Sequence, residues 1–386
     1  MVFWHVIFLL KHCRSEFIRQ NMAVKTAPTT LNLHQTRLSF MSIAPNTSFQ
    51  KGFFNSPFRP APFLANPHLQ TLFASVHRKT RPQLTRQRQR ITLTDGDFVL
   101  LDAHTPTHIS SNAPLVLVIH GLSGSSDSHY VLGLQKALAA QHWPSVAMNC
   151  RGATEPNHAT RAYHAGASDD VRGVFQHLVD SQERPIMIVG YSLGGSMTLK
   201  TLAELGDHPR LLAGVAVSAP LEMAICAKRL DKGFSMIYRK HLLDELHALW
   251  YAKLRYLENT GATSEAQKIE QCLTHAPFKS FWQFDDLLMA PLHGFDGVHD
   301  YYARCRPNQF LKDIKVPTLV IHAMDDPFMS PLVIPQSSEL SSMIHFELAE
   351  SGGHVGFISG TVTKPVYYLE QRIPAFLNYV FQSLKH

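Results

Sequence analysis

The chain has 386 residues, 45% of them hydrophobic and 17% charged, and a net charge of +6. That length and composition exclude a disordered or fibrous protein and leave room for one large α/β domain with an insertion, or for two domains. Five cysteines, Cys13, Cys150, Cys226, Cys272 and Cys305, stand singly with no C-x-x-C spacing, which argues against a disulfide framework or a zinc site and for a reducing, cytoplasmic compartment.

Residues 1–10 are apolar after Met1, but such a run is too short to span a bilayer, which takes about 20 residues. No positive charge precedes it and no small-x-small cleavage pattern follows closely, so a secretory signal fits poorly. Residues 1–45 show little periodicity and read as a disordered extension, or as an over-called start with Met22 or Met41 the initiator. Residues 46–90 read as an N-terminal arm, in which Phe53, Phe54, Phe58 and Phe63 among four prolines suggest an extended, aromatic-anchored segment. Its end is basic, with Arg78, Lys79, Arg81, Arg86, Arg88 and Arg90. The stretch reads as a solvated linker or edge strand rather than a contact with anionic lipid. No aromatic residue interleaves with these arginines, which counts against single-stranded nucleic-acid binding.

From residue 91 to 386 the pattern is that of one large α/β domain. Ile91 to Leu101 reads as a hairpin with Asp95-Gly96 at the turn. Buried-strand runs follow at Leu115–Ile119, Ser145–Asn149, Pro185–Val189, Gly214–Ser218, Thr318–Ile321 and Ile344–Leu348. Helical patterns lie at about Tyr130–Ala140, Ser168–Ser181 and Tyr367–Leu384. Strands alternating with helices indicate a mostly parallel central sheet with helices on both faces. The region of about 221–305 breaks this rhythm. It is helix-rich and dense in aromatics, a pattern more common in cores than in ligand pockets, yet it follows a sheet strand where a helical lid would sit.

Gly190-Tyr191-Ser192-Leu193-Gly194 lies between the apolar run Pro185–Val189 and a helical pattern starting near Gly195. Strand, G-x-S-x-G, helix is the context of a nucleophile elbow, whose glycines permit the sharp turn that exposes the serine hydroxyl. A serine needs a base, and the base needs an orienting carboxylate. Both follow late strands: His354 stands in Ser351-Gly352-Gly353-His354-Val355-Gly356, and the neighbours Asp325 and Asp326 precede Pro327. Asp326 suits a tight turn presenting a carboxylate, which leaves Asp325 as a solvated or turn-capping residue. The oxyanion donors expected are the backbone amides of Leu193, directly after the serine, and of Leu122 in the loop His120–Gly124. His120 itself reads as a loop brace.

These segments carry a family resemblance. From about Phe53 to Phe376 the chain resembles the YheT-type bacterial esterases and their eukaryotic relatives in the α/β-hydrolase-domain group, the AB hydrolase-4 family. The matching stretches include Asn66–Thr71, His120–Ser126, Met148–Gly152, Gly190–Gly195, Ala290–Phe295, Asp325–Met329 and Gly352–Phe357. The resemblance implies an α/β-hydrolase fold, a triad at Ser192, Asp326 and His354, and hydrolysis of carboxylic esters. Members have been linked to short-chain esters, monoacylglycerols or phospholipids, so the substrate does not transfer. Eukaryotic relatives carry an N-terminal membrane anchor, and this chain departs from them there.

The expected partners are a small-molecule ester or lipid and a transient membrane-surface contact, with no nucleic acid. No metal and no cofactor are expected, since the 23 histidines are dispersed without H-E-x-x-H spacing. Two other readings stand beside this one. His164 and Asp169 form an H-x-x-x-x-D pattern that invites acyl transfer, although such a match arises readily by chance and also fits a polar pair opening a helix. A non-catalytic binding module on a hydrolase scaffold is the third.

Overall fold

The long apolar runs pair side by side in the computed structural model, which describes residues 52–78, 83–110 and 112–383. The proposed extension 1–45, Cys13, Lys79 and Arg81 lie outside the described residues. Nine strands are β1 (Gly52–Asn55), β2 (Gln87–Thr92), β3 (Phe98–His104), β4 (Leu115–Ile119), β5 (Ser145–Asn149), β6 (Ile186–Tyr191), β7 (Leu211–Val217), β8 (Thr318–Ala323) and β9 (Ile344–Ala349). They form one sheet in the order β1-β9-β8-β7-β6-β4-β5-β3-β2. Pairing is parallel from β1 to β5, and β3 and β2 close the far edge antiparallel. A small hairpin, β10 (Ile358–Gly360) with β11 (Pro365–Tyr367), stands apart.

The helices are α1 (Pro67–His77), α2 (His129–Ala139), α3 (Ser168–Ser181), α4 (Leu193–Leu205), α5 (Met223–Leu230), α6 (Ser235–Asn259), α7 (Thr263–Leu273), α8 (Phe281–Phe284), α9 (Ala290–Leu292), α10 (Val298–Cys305) and α11 (Leu369–Ser383). A π turn, Asp285–Met289, joins α8 to α9. Side-chain alternation sorts the sheet into two layers. In β4, Leu115, Leu117 and Ile119 pack with Val171, Val174 and Phe175 of α3 and Leu199 and Leu202 of α4. Val116 and Val118 face the other way, against Leu134 and Leu138 of α2 and Ile373 and Leu377 of α11. Strands buried on both faces read as unbroken apolar runs for this reason. Among the described residues no helix is long and apolar enough to cross a membrane.

Two expectations are corrected. The arm does begin extended and aromatic-anchored, as edge strand β1, where Phe53 packs on Phe346 and Phe54 stacks on His345. Four residues are too few to show a period of two. The arm also contains helix α1, capped by Asn66 Oδ1, which accepts from the amides of His68 and Leu69. Pro67 at the first helical position strengthens that start. Finally, Tyr367 belongs to β11, and the closing helix begins at Leu369.

The end of the basic stretch, with Arg88 and Arg90, lies in edge strand β2, in line with one of the two readings given to it. Arg86 pairs with Asp127, Arg88 with Asp102 and Arg90 with Glu155, while Arg78 pairs with Glu370. Asp102, buried in β3, also accepts from Ser126 Oγ and Asn149 Nδ2. Burial alone would raise its carboxyl, but hydrogen bonds from Arg88, Ser126 and Asn149 outweigh burial and hold it at about 2. A depressed carboxylate stabilises the fold above its unfolded pKa, here on the order of 2 kcal/mol, and this is lost as pH falls through the folded value. Asp102→Asn is therefore expected to lower stability at pH 7 and to flatten the loss of stability between about pH 5 and 2. Denaturant unfolding followed across that range checks both effects.

Candidate active site

Ser192 sits between β6 and α4 with φ 52° and ψ −121°, a left-handed conformation unusual for a residue with a side chain. The turn closes because its glycines lack side chains. A Cβ at Gly190 would strike the Gly194 carbonyl and Thr198 Oγ1, and one at Gly194 would strike the His120 carbonyl. The Ser192 amide donates to the Val217 carbonyl at 2.8 Å, tying the elbow to the end of β7.

His354 reaches this serine across the sheet top. Its Nε2 lies 2.8 Å from Ser192 Oγ and its Nδ1 lies 2.8 Å from Asp326 Oδ2. Phe328 stacks on the imidazole with centroids 4.0 Å apart, which fixes the ring plane. Asp326 is buried, and its Oδ1 accepts from the Phe328 amide at 2.8 Å. The Ser192, His354 and Asp326 side chains are thus brought together as one hydrogen-bonded chain.

Asp325 is not a solvated residue. Its Oδ1 accepts from the Gly353 amide at 3.0 Å, and it is half-buried. Burial raises its carboxyl, the Gly353 and Gly352 amides oppose that rise, and the charge of Asp326 adds to it. The residue braces the loop that carries His354. Two further braces escaped the sequence. The His354 amide donates to Thr71 Oγ1 on α1 at 2.9 Å, and the Val355 amide donates to Ser218 Oγ at 3.2 Å. Gly353, at φ 59°, passes so close to α1 that a Cβ would lie 2.5 Å from the Pro67 carbonyl oxygen. Asn66–Thr71 therefore supports the histidine loop, a contact between residues some 280 positions apart that no local pattern announces.

The loop after β4 wraps the serine from the other side, and a Cβ on Gly121 would lie 2.9 Å from Ser192 Cβ. Two tyrosine hydroxyls hold it: Tyr130 accepts from the Gly121 amide at 3.0 Å and Tyr163 from the Ser123 amide at 2.8 Å. His120 is the expected brace. It is buried, with Nδ1 2.7 Å from the Gly121 carbonyl and Nε2 accepting from the Cys150 amide at 3.0 Å. Burial lowers its pKa to about 4, so the ring stays neutral. The amides of Leu122 and Leu193 donate to no protein acceptor among the described residues, and both residues line the same cavity as Ser192 and His354.

That cavity has a volume of about 420 Å³ and is walled mainly by apolar side chains of the 221–305 helices, among them Leu230, Leu246, Trp250 and Phe284. Most aromatics of this segment are buried in one cluster, so they serve as core and wall together. His164 lines the cavity too, but it is not hydrogen-bonded to Asp169. Its Nδ1 accepts from the Gly166 amide, while Asp169 pairs with Arg161 at 2.6 Å. Among the described residues no group of three or more His, Cys, Asp or Glu side chains is placed to hold a metal ion.

A model of the α/β-hydrolase fold family matches residues 114–361. The chain belongs to the α/β-hydrolase family. Similar proteins match over more of the chain. An Escherichia coli protein named as an esterase, YheT, is 38% identical over 325 residues, covering 84% of this chain and 93% of that one. A Dictyostelium discoideum abhydrolase domain-containing protein is 30% identical over 311 residues, 78% of this chain and 76% of its own. A mouse relative named phospholipase ABHD3 is 24% identical over 306 residues, 77% and 72% of the two chains. The α/β-hydrolase expectation drawn from the Asn66–Phe357 motifs is borne out.

Proposed function

We propose that the chain is a serine carboxylic-ester hydrolase acting through an acyl-enzyme on Ser192. The observation that carries this reading is the continuous relay of 2.8 Å contacts from Ser192 through His354 to Asp326 beneath an apolar cavity. His354 Nε2 takes the Ser192 proton as Oγ attacks the ester carbonyl carbon. Asp326 accepts from the Nδ1 hydrogen, sets the tautomer and stabilises the imidazolium. The developing oxyanion receives the amides of Leu122 and Leu193. The tetrahedral intermediate then collapses, the ester C–O bond breaks, and His354 returns the proton to the departing alkoxide. Water, deprotonated by the same histidine, attacks the acyl-enzyme carbonyl; the second intermediate collapses, the acyl C–Oγ bond breaks, and His354 returns the proton to Ser192 Oγ as the acid leaves.

The mainly hydrocarbon cavity supports an acyl chain or another apolar ester portion as occupant. Relatives named as an esterase, a phospholipase and a monoacylglycerol lipase support an ester or lipid substrate. The helices of residues 221–305 act in this reading as a lid. A cytoplasmic location accords with the four described cysteines, all free and buried. His164 and Asp169 lend no support to acyl transfer, because Asp169 is engaged by Arg161.

A series of p-nitrophenyl esters from acetate to palmitate tests the reading, run with and without glycerol or a lysolipid as acyl acceptor. Turnover is expected to peak at chains longer than acetate and to yield free acid. A sharp preference for acetate contradicts an acyl groove in the cavity, and acceptor-dependent product favours transfer over hydrolysis.

A further inference from the structure

Asp285 lines the cavity of Ser192, yet the proposed ester chemistry does not use it. It opens the π turn between α8 and α9, a local widening of a helix often found at functional sites. Its side chain is buried, and Tyr302 donates its hydroxyl to Oδ2 at 2.6 Å. Oδ1 has no hydrogen bond and no ion pair among the described residues. The surrounding wall is hydrocarbon, including Leu246, Phe281, Phe284 and Met289. Oδ1 is therefore open to the cavity, where a donor on an entering molecule can meet it.

Tyr301, the neighbour of Tyr302 on α10, lines the same cavity. Its hydroxyl oxygen accepts from the Ala165 amide at 3.2 Å, so its own hydrogen has no protein acceptor among the described residues. The same cavity wall thus carries an acceptor without a protein donor, Asp285 Oδ1, and a donor without a protein acceptor, the Tyr301 O–H. A hydroxyl group can both give and take a hydrogen bond, and so suits either. A cation would use the acceptor and leave the donor idle.

We propose that Asp285, oriented by Tyr302, is a specificity-determining residue that selects esters bearing a free hydroxyl over esters of similar size without one. The inference rests on the serine-hydrolase reading above. The hydroxyl can belong to the acyl chain or to the alcohol portion, since the chemistry met at Asp285 is the same. A hydrogen bond to a charged group in a water-poor site discriminates by roughly 10- to 100-fold.

The charge state supplies an independent readout. Burial pushes the Asp285 carboxyl up to about 7, against the opposing hydrogen bond from Tyr302. Tyr301, Tyr302 and Cys305 of α10 and, beyond Tyr302, Cys226 of α5 lie around it, and burial raises all four, so they remain neutral across the working range. His164, against Tyr301 and Cys305, is lowered by burial and also stays neutral, and His241 and Glu245 of α6 line the same cavity. The carboxylate is the better acceptor, so selectivity for the hydroxylated ester rises from pH 6 to pH 8. Ionisation of His354 affects both esters alike and cancels in their ratio.

The test measures kcat/KM for ethyl butanoate, 2-hydroxyethyl butanoate, ethyl 3-hydroxybutanoate and butanoylcholine in the full chain, after fluorophosphonate labelling of the wild type. One of the two hydroxylated esters is expected to exceed ethyl butanoate by 10- to 100-fold, and which one does so identifies the side that carries the hydroxyl. Asp285→Asn should lower that ratio at least about tenfold and remove its rise with pH, and Tyr302→Phe should lower it in the same direction. Equal ratios in wild type and variants overturn the inference, as does a wild-type preference for butanoylcholine. If Asp285→Asn fails to fold, the Tyr302→Phe ratio alone decides. A wild type that takes no fluorophosphonate and turns over no ester overturns the hydrolase reading together with this inference, whereas a labelled enzyme with unchanged ratios overturns this inference alone.

Discussion

Ser192→Ala is expected to remove ester hydrolysis almost entirely, by about 10⁵- to 10⁶-fold in kcat. The size follows from the arrangement. Without Oγ no acyl-enzyme forms, and His354 and Asp326 are left with nothing to activate. What survives is the contribution of the Leu122 and Leu193 amides and of the cavity to positioning an ester for attack by water, roughly 10³- to 10⁴-fold over the uncatalysed reaction. Substrate binding should change little, since the lost atom is small beside a cavity of about 420 Å³. Steady-state kinetics over a range of enzyme concentrations checks the effect. Activity within a hundredfold of wild type would mean that Ser192 is not the nucleophile.

The two aspartates should separate sharply. Asp326→Asn keeps the shape of the side chain but replaces the acceptor for His354 Nδ1–H with a group that can also donate. The imidazole is then free to adopt the tautomer whose Nε2 carries the hydrogen and cannot take a proton from Ser192. A loss of about 10⁴-fold in kcat is expected. Asp325→Asn retains an oxygen to accept from the Gly353 amide, so its cost should stay within about tenfold. Its like-charged neighbour disappears as well, which eases the burial of Asp326. The reverse ranking would transfer the orienting role to Asp325. Both variants are read under identical conditions, with far-ultraviolet circular dichroism to show that the His354 loop has not unfolded the domain.

Much of this architecture is written in short-range patterns. The runs Leu115–Ile119 and Pro185–Val189 are apolar on both faces because helices cover both sides of the sheet, and that is visible without coordinates. The elbow motif is local too, and Gly190 meets its steric demand from Gly194 and Thr198 within a few residues, whereas Gly194 is pressed by His120 and Ile119 of the β4 end. His354 and Asp326 were readable because each follows the end of a strand and so arrives at the same sheet edge as Ser192. The contacts that hold them in place were not. Thr71 supports the His354 amide, and Ser218 supports that of Val355, from elsewhere in the chain.

Helix α1 was hidden because its start signals, Asn66 and Pro67, are also turn signals among the surrounding prolines. Strand β1 is too short to declare itself. Asp285 and Tyr302 lie 17 positions apart in a segment whose aromatic density reads as core. Much of that segment is core, and the same side chains also wall the cavity. Packing periodicity reports which face of a helix is buried, and it carries no information on whether a protein core or a ligand lies against that face.

A nucleophilic Ser192 primed by His354 and Asp326 should react with a fluorophosphonate, and peptide mass spectrometry of the labelled full chain locates the adduct. A single stoichiometric adduct is expected on the peptide containing Ser192, absent from Ser192→Ala and formed far more slowly in Asp326→Asn. An unlabelled wild type, or an adduct that persists in Ser192→Ala, would mean that Ser192 is not the nucleophile.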